Sequence, residues 1–456
     1  MRLRLQAMSD SVPSNVPDTI YAAPAEWVAK GAGAQGNLFL TGRAGTGKTT
    51  MLRRFLAEAG ENTVVLAPTG VAAMNAGGQT IHSFFKLPPR LIEPADIKRL
   101  RGVRLIKAIE TMIIDEISMV RSDMLDAIDK SLRLNRGSKR PFGGVRMILS
   151  GDLHQLPPVA RGPEAEILNE RYGGHYFFNA PGFKEAEFAL LALKHVFRQA
   201  DPRFLALLGA MRQGRLTPPD ERLLQTLVSK RTAVEASATH VVLTPNNANA
   251  FRINQARLDD LPGKPRTLPA KVQGDFDEKS YPTEADLELK EGARVMLIKN
   301  DPEGRWVNGS LATVDGFKGD NVLVELDGHI YEIEPAAWEK HKYELDPETK
   351  KVSREVVGTF KQVPLRLAYA VTIHKAQGLT LDKVFIDFDR GMFAHGQAYV
   401  AFSRARSLEG LEISRALRPR DLVIDRSAFA FGELETIENT DAYLLARFAK
   451  GEGVLL

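Results

Sequence analysis

The segment Gly42-Arg43-Ala44-Gly45-Thr46-Gly47-Lys48-Thr49 decides the fold of this 456-residue chain. It follows the apolar run 37–41 (NLFLT) and precedes a stretch with Leu52, Phe55 and Leu56 at helical spacing. The order of strand, glycine-rich loop and helix matches the pattern G-x-x-x-x-G-K-[ST]. In that pattern, backbone amides and a helix N-terminus surround phosphate groups. The segment therefore predicts a nucleotide-binding α/β domain.

A second segment, Ile113-Ile114-Asp115-Glu116, supplies acidic groups that would complete such a site. Two carboxylates at the end of a buried strand are costly to keep charged unless a cation lies beside them. We expect Asp115 to hold Mg²⁺ together with the Thr49 hydroxyl, and Glu116 to orient and deprotonate the attacking water. Lys48 is expected to reach the β- and γ-phosphates. The expected ATP contacts in the loop are Gly45, Thr46, Gly47, Lys48, Thr49 and Thr50.

Apolar, β-rich runs alternate with helical patterns through much of the chain. Nearly continuous apolar strands are typical of a parallel sheet that is covered on both faces. We therefore predict two doubly wound parallel-sheet domains, the second beginning near residue 196. The runs lie at 37–41, 63–67, 111–114 and 145–150 in the first domain, and at 240–244 and 384–388 in the second.

Two segments interrupt this α/β pattern. In residues 285–362, β-rich runs are separated by turn signals, and Asp327-Gly328 is a strong hairpin signal between two of them. This predicts a small antiparallel barrel inserted into the second domain. Residues 87–109 form a second, basic insertion in the first domain. It is rich in basic residues, among them Lys98, Arg99, Arg101, Arg104 and Lys107.

Composition excludes several classes of protein. With no cysteine, the chain has no disulfide framework, cysteine-ligated zinc site, iron–sulfur cluster or thiol nucleophile, which suits a reducing cytosol. No apolar run approaches the ~20 residues that span a bilayer, so we expect no membrane partner. Residues 1–36 lack a signal-peptide core and are expected to be a short disordered lead-in. The net charge of +4 only weakly favours a nucleic-acid partner.

Five further motifs resemble those of the Pif1 family of helicase superfamily 1B. The resemblance covers about residues 37–412. It implies two RecA-like domains, 1A at 37–195 and 2A at 196–284 and 363–456. It also implies a wedge-like insertion 1B at about 87–109 and an SH3-like barrel 2B at 285–362. The motifs are 67–73 (APTGVAA) with 78–85 (GQTIHSFF), 150–158 (SGDLHQLPP), 196–199 (VFRQ), 372–380 (TIHKAQGLT) and 398–405 (AYVAFSRA).

The resemblance also assigns roles at the ATP site. It implies that Gln155 senses the γ-phosphate and that Gln377 and Gly378 face the nucleotide. Arg198 and Arg404 would stabilise phosphate charge in the transition state, because the guanidinium stays charged and presents several donors. The expected catalytic residues are Lys48, Asp115, Glu116, Gln155, Arg198 and Arg404.

Hydroxyl, imidazole and amide groups in these motifs suit contacts to DNA phosphates and bases. Phe84 and Phe85 could stack on bases, although each residue taken individually is more typical of a hydrophobic core. The DNA contacts that the resemblance implies are Pro68, Thr69, Thr80, His82, Asn246, Asn308, His374 and Lys375.

The resemblance implies an ATP- and Mg²⁺-dependent 5′→3′ DNA helicase that translocates on single-stranded DNA. Expected partners are single-stranded DNA and tailed duplexes, with G-quadruplexes and RNA–DNA hybrids as further candidates. We expect a cytoplasmic, nucleoid-associated monomer that acts in DNA repair, recombination or replication. No residue is assigned to adenine, because residues 25–31 (AEWVAKG) lack the glutamine with which superfamily 1 helicases read the base.

Three alternatives stay open at this point. The chain could be a RecD-type motor subunit, although no cluster of nuclease carboxylates is apparent. It could instead be a nucleotide-switched DNA-binding ATPase that does not unwind its substrate. RNA unwinding also remains open, since phosphate contacts and base stacking discriminate poorly between the two sugars.

Overall fold

The computed structural model describes residues 36–431 except 59, 61, 161, 187, 194, 347, 349, 350 and 430. Of the predicted lead-in, residues 1–35 lie outside the described residues. None of the described helices is both long and apolar enough to cross a bilayer. The α-helices in these residues are α1 (Lys48–Glu58), α2 (Gly70–Asn75), α3 (Ile81–Phe85), α4 (Val103–Ala108), α5 (Ser122–Arg136), α6 (Pro163–Tyr172), α7 (Pro181–Glu185), α8 (Pro202–Gln213), α9 (Pro218–Thr226), α10 (Ala233–Ala236), α11 (Asn247–Asp259) and α12 (Gln397–Phe402).

The strands form two parallel sheets and three antiparallel ones. The strands in the described residues are β1 (Asn37–Gly42), β2 (Thr63–Ala67), β3 (Gln79–Thr80), β4 (Thr111–Ile114), β5 (Arg146–Gly151), β6 (Phe188–Leu193), β7 (Val241–Thr244), β8 (Arg266–Pro269), β9 (Lys271–Gly274), β10 (Asp286–Leu289), β11 (Arg294–Leu297), β12 (Leu311–Lys318), β13 (Asn321–Leu326), β14 (His329–Ile333), β15 (Ala336–Leu345), β16 (Val352–Gln362), β17 (Leu365–Leu367), β18 (Ala370–Thr372), β19 (Val384–Ile386) and β20 (Leu411–Ile413).

The first domain is built on a six-stranded parallel sheet in the order β3-β2-β4-β5-β1-β6. The predicted runs at 37–41, 63–67, 111–114 and 145–150 are adjacent strands of this sheet. Their side chains are buried on both faces, as expected for strands covered by helices on either side. Because β4, β5 and β1 are neighbours, the loops that follow them meet at one edge of the sheet.

A smaller parallel sheet, β18-β7-β19-β20, forms the second α/β domain. The predicted runs at 240–244 and 384–388 correspond to β7 and β19. The chain leaves the carboxyl end of β18 at Thr372 and enters the predicted motif 372–380. The mixed α/β class with two parallel-sheet domains is therefore confirmed.

Between these parts, strands β14-β13-β12-β11-β17 form a five-stranded antiparallel sheet with its own apolar core. The hairpin predicted at Asp327-Gly328 joins β13 to β14. Both turn residues have positive φ, 52° for Asp327 and 79° for Gly328. Two-residue hairpins of type I′ need this conformation, which explains why Asp-Gly was a reliable signal.

The boundaries 285–362 predicted for the barrel differ from the structure in two ways. Antiparallel strands begin earlier, at β8, and end later, at β17. In addition, β15 and β16 leave the five-stranded sheet and pair with β9 in a separate three-stranded sheet. Alternation of apolar and polar residues indicates a strand, but it does not specify which sheet the strand joins.

The hairpin formed by β15 and β16 packs against the first domain through Tyr343. The Tyr343 hydroxyl accepts a hydrogen bond from the Val65 amide at 2.9 Å, and the Tyr343 ring contacts Phe84 edge-on at 5.9 Å. Strand β3 pairs with β2 only at residues 66 and 67, so the Val65 amide lies beyond that ladder. The hydroxyl group of Tyr343 therefore satisfies a buried donor at the end of the sheet.

The C-terminal part also departs from the predicted domain division. Residues 363–456 were assigned to domain 2A, yet Ala428 and Phe431 join the core of the first domain. The Phe431 ring stacks on Phe178 at 4.3 Å between ring centroids. Aromatic side chains of the first domain thus offer an apolar surface that the chain covers after completing the second domain.

The basic segment 87–109 is anchored by apolar side chains. Leu87, Ile92, Ile106 and Ile109 are buried in the core of the first domain. The basic side chains of this segment face solvent, so the segment is a basic surface fixed to the first domain. The exposed basic residues are Arg90, Lys98, Arg99, Arg101, Arg104 and Lys107.

We predict that Tyr343→Phe destabilises the protein, because it leaves the buried Val65 amide without its acceptor. The expected loss in free energy of unfolding is about 1–3 kcal/mol, measured by urea denaturation. Tyr331→Phe is a suitable control, since Tyr331 is a half-exposed tyrosine of the five-stranded sheet. Equal stability of the two variants would contradict the role given to the Tyr343 hydroxyl.

Candidate nucleotide-binding and catalytic site

The glycine-rich loop between β1 and α1 has a conformation that requires glycine. Gly45 has φ 79°, and a Cβ atom on it would lie 2.7 Å from Cβ of Arg198. The Gly45 carbonyl accepts a hydrogen bond from the Phe197 amide at 2.9 Å. The loop therefore approaches the start of the second domain closely, and a larger residue at position 45 would separate the two.

Lys48 is the first residue of α1 and lies inside the loop. Its Nζ donates to the carbonyl oxygens of Gly42 at 2.7 Å and Arg43 at 3.1 Å. Burial lowers the pKa of Lys48, while the nearby charges of Asp152 and Glu116 act in the opposite direction. A half-buried lysine at a helix N-terminus, with its ammonium group near carboxylates, suits the binding of phosphate groups.

Asp115 and Thr49 line the same small cavity beside the loop. Burial raises the pKa of Asp115, and its Oδ1 accepts a hydrogen bond from the Glu116 amide at 3.0 Å. A hydroxyl and a carboxylate are hard oxygen ligands of the kind that Mg²⁺ prefers. The pair therefore fits the predicted magnesium site.

Glu116 is held in an unusual environment. It adopts the left-handed conformation with φ 53°, which is uncommon for a residue other than glycine. Burial, followed by the charge of Asp115, raises the pKa of Glu116 to about 7. A carboxylate with a pKa near neutral is well matched to accepting a proton from water.

Gln377 of the second domain connects two predicted catalytic residues of the first. Its Nε2 donates to Glu116 Oε2 at 3.1 Å and lies 3.3 Å from Gln155 Oε1. Gln155 Nε2 in turn donates to Asp152 Oδ2 at 2.9 Å. The structure therefore brings residues from the loops after β4 and β5 and from the segment after β18 into one hydrogen-bonded group.

Both predicted arginines lie at this boundary between the domains. Arg198 donates to the Thr380 hydroxyl at 2.8 Å and to the Ser403 carbonyl at 3.0 Å. Arg404 is 1% exposed and donates to the Ser403 hydroxyl at 2.8 Å. Burial lowers the pKa of Arg198 to about 10 and that of Arg404 to about 9, so both remain charged at neutral pH.

Tyr399 is a contact to the loop that sequence reasoning did not assign. Its hydroxyl accepts a hydrogen bond from the Ala44 amide at 3.0 Å. Tyr399 lies in the motif 398–405, which pointed to Arg404 but gave no role to the tyrosine. The position of Tyr399 within this motif could have suggested a functional role. Its partner, the Ala44 amide 355 residues away, could not have been predicted from the sequence.

The DNA-contact candidates of the first domain follow β2 and β3. Pro68 is half-buried. The Thr69 and Thr80 hydroxyls accept hydrogen bonds from backbone amides and cap α2 and α3. His82 is half-buried, burial lowers its pKa, and its Nδ1 lies 3.2 Å from the Leu87 carbonyl oxygen.

Phe84 and Phe85, the aromatic alternatives in the same segment, are 8% and 2% exposed. They belong to the core of the first domain and contact each other edge-on at 4.9 Å. Their interpretation as core residues is therefore confirmed, and base stacking by these two rings is excluded by burial.

The DNA-contact candidates of the second domain lie on exposed segments. His374 and Lys375 are exposed, and the His374 ring is 6.4 Å from that of Phe393. Asn246 caps α11 and donates to Asp389 at 2.6 Å. Asn308 lies in the exposed turn between β11 and β12.

A family model described as PIF1-like helicase matches residues 18–222. The ATP-dependent DNA helicase Pif1 of Bdellovibrio bacteriovorus is 32% identical over 408 residues, which cover 87% of this chain and 88% of the relative. The chain belongs to the Pif1-like helicase family. The human ATP-dependent DNA helicase PIF1 is 35% identical over 420 residues, or 88% of this chain. This chain spans 62% of the length of the human Pif1 relative.

Solved structures of a Bacteroides Pif1 resemble this chain throughout. The complex with ADP-AlF4 has a TM-score of 0.83 and 35% identity, covering 95% of this chain and 99% of the Bacteroides chain. The form bound to ssDNA has a TM-score of 0.65 and 36% identity, covering 94% of this chain and 99% of the Bacteroides chain. The RecA-like architecture of Pif1 helicases therefore describes this chain.

We predict that Glu116→Gln preserves binding of an ATP analogue but lowers the ATPase kcat by at least about 100-fold. In the unsubstituted protein, kcat should rise as pH increases through about 7, because Glu116 accepts a proton only when ionised. The residual activity of the variant should lack that rise. Glu170→Gln, at an exposed position in α6, is the control. Undiminished hydrolysis by Glu116→Gln would contradict the assignment.

Proposed function

We propose that this chain is an ATP-dependent DNA helicase that translocates 5′→3′ on single-stranded DNA and unwinds duplex or structured DNA. The observation that carries the proposal is the contact of Gln377 with both Glu116 and Gln155 across the domain boundary. A nucleotide at the glycine-rich loop would touch both domains there. Its hydrolysis would therefore change the forces between them.

The residues at the boundary have distinct parts in the proposed cycle. Lys48 would bind the phosphates, and Thr49 and Asp115 would hold Mg²⁺, which would neutralise phosphate charge. Glu116 takes the proton of the attacking water, and Arg198 and Arg404 stabilise the charge that develops on the phosphate oxygens. Because the arginines and Gln377 belong to the second domain, these contacts favour a closed arrangement while a triphosphate is bound.

Polar groups near the ends of both parallel sheets support DNA as the partner. Thr69, Thr80 and His82 lie at or after the ends of β2 and β3 of the first domain, and His374 and Lys375 follow β18 of the second. We propose that single-stranded DNA contacts both sets, so that opening and closing of the cleft moves one set along the strand. The relatives are named as DNA helicases, which supports DNA as the partner of this chain.

The finer features of the proposal follow the family. We propose that 37–195 acts as RecA-like domain 1A, and that the basic segment 87–109 contacts DNA at the duplex junction. The second RecA-like domain and the strands between β8 and β17 would form the other half of the motor. We further propose tailed duplexes, G-quadruplexes and RNA–DNA hybrids as substrates for a monomeric, nucleoid-associated enzyme in repair, recombination or replication.

A nucleotide-switched ATPase that binds DNA without unwinding it is the second candidate. Arg404 favours a motor over this switch, because this buried arginine of the second domain lies close enough to Glu116 of the first for their charges to interact. A RecD-type motor would share this geometry, so the DNA substrate and polarity distinguish it poorly from the main proposal.

We predict that the protein separates a 5′-tailed duplex at least about tenfold faster than a 3′-tailed one. The physical reason is that the two domains bind the strand with a fixed polarity. A strand-displacement assay with fluorescent 5′- and 3′-tailed duplexes, with and without ATP, measures both rates. Lys48→Ala is the control for dependence on ATP.

Two outcomes would contradict the proposal in different ways. Preference for the 3′-tailed duplex would overturn the polarity. ATP hydrolysis that is stimulated by single-stranded DNA without separation of either duplex would favour the switch. Replacing the tail with RNA in the same assay tests whether the sugar is discriminated.

A further inference from the structure

Arg212 is a buried cation that the proposed cycle does not use. It lies near the end of α8 in the second domain and is 7% exposed. Arg215, three residues later, is exposed to solvent. Burying a guanidinium group is costly unless an anion accompanies it, so the partner of Arg212 is informative.

One partner of Arg212 is Asp152, in the loop that follows β5 of the first domain. Arg212 Nη2 lies 3.7 Å from Asp152 Oδ1, and the Asp152 side chain is fully buried. Burial raises the pKa of Asp152, but the charges of Arg212 and Lys48 outweigh it and hold the pKa below its usual value. Asp152 is therefore an anion at neutral pH, and this buried ion pair joins the two domains.

Asp152 also fixes the loop that carries Gln155. Its Oδ1 accepts a hydrogen bond from the His154 amide at 3.1 Å. Its Oδ2 accepts one from the Gln155 side chain, Nε2, at 2.9 Å. An ionised carboxylate has no hydrogen to donate, so it can only accept hydrogen bonds. Asp152 therefore holds the NH₂ end of the Gln155 amide.

The other end of that amide then has a defined direction. With its Nε2 on Asp152, Gln155 presents Oε1 to the Gln377 amide at 3.3 Å. A neutral or displaced Asp152 would permit the opposite orientation, in which Gln155 would present NH₂ to a donor. The charge of Arg212 therefore supports the orientation of a side chain that it does not touch.

The helix that carries Arg212 is packed against the rest of the site. Leu208 and Met211 of α8 share a core with Tyr399 and Phe402 of α12. The same α12 contacts the glycine-rich loop through Tyr399. Movement of the second domain would therefore move Arg212 relative to Asp152 together with Tyr399.

We propose that Arg212 is a positioning residue for ATP hydrolysis, which acts through Asp152 to orient the Gln155 amide across the domain boundary. This inference rests on the proposed function, because it takes Gln155 to contact the γ-phosphate of ATP, as the family resemblance implies. Arg212 makes no contact with the nucleotide in this proposal. Its effect depends on Gln155 being present.

The test is a double-mutant cycle on the full chain. Arg212→Met should lower the DNA-stimulated kcat by about tenfold, with affinity for an ATP analogue changed by less than about threefold. In a Gln155→Ala background, the same substitution should change kcat by less than about twofold. Arg212→Lys, which keeps the positive charge, should recover most of the activity, and Arg215→Met is the matched control.

An equal loss in both backgrounds would overturn the proposal, because Arg212 would then act independently of Gln155. Activity of Arg212→Met equal to that of Arg215→Met would also overturn it. If Arg212→Met does not fold, Asp152→Asn removes the same ion pair with little change in volume and should show the same dependence on Gln155. ATP hydrolysis that ignores DNA would contradict the proposed function, while the cycle could still be measured on basal hydrolysis.

Discussion

The arrangement of the site depends on ionisable groups of one domain facing buried arginines of the other. Glu116 and Asp152 extend from the edge of the first sheet, and Arg212 and Arg404 approach them from the second domain. Each of these groups would be costly to bury alone. Because Arg212 is paired with Asp152 across the boundary, and the charge of Arg404 acts on Glu116, the relative position of the two sheets and the ionisation of the catalytic groups constrain each other.

This constraint explains why the nucleotide site and the domain boundary are the same place. The glycine-rich loop meets the second domain through Gly45, Arg198 and Tyr399, within a few residues of Lys48. Any group bound at the loop must therefore alter contacts between the domains. The helix α8 adds Arg212 to this boundary, so the orientation of Gln155 also depends on how the domains are placed.

Features set by neighbouring residues could be predicted from the sequence. The order of strand, loop and helix around Lys48 is local, and so is the turn at Asp327-Gly328. Whole-motif resemblance located Gln377 and Arg404, although it could not give their partners. Contacts between distant segments were not predictable: Tyr343 reaches Val65, and Phe431 reaches Phe178, through packing that leaves no periodic signal.

A similar limit applies to the candidate DNA contacts. The family resemblance indicated Thr69, Thr80 and Asn246, and the structure places each of these side chains at the cap of a helix. A capping residue and a DNA-binding residue draw on the same small polar side chains, so the residue type alone does not separate the two roles. For Phe84 and Phe85 the two possible roles were core packing and base stacking, and burial did separate these.

The most direct test of the account is the distance between the two domains in different nucleotide states. Because the chain has no cysteine, Glu170→Cys and Glu221→Cys place a spin label on each domain without further changes. With single-stranded DNA bound, pulsed electron paramagnetic resonance should give a narrower and shifted distance distribution in a non-hydrolysable ATP analogue than in ADP. Identical distributions in a labelled protein that still hydrolyses ATP would contradict the claim that the triphosphate closes the cleft.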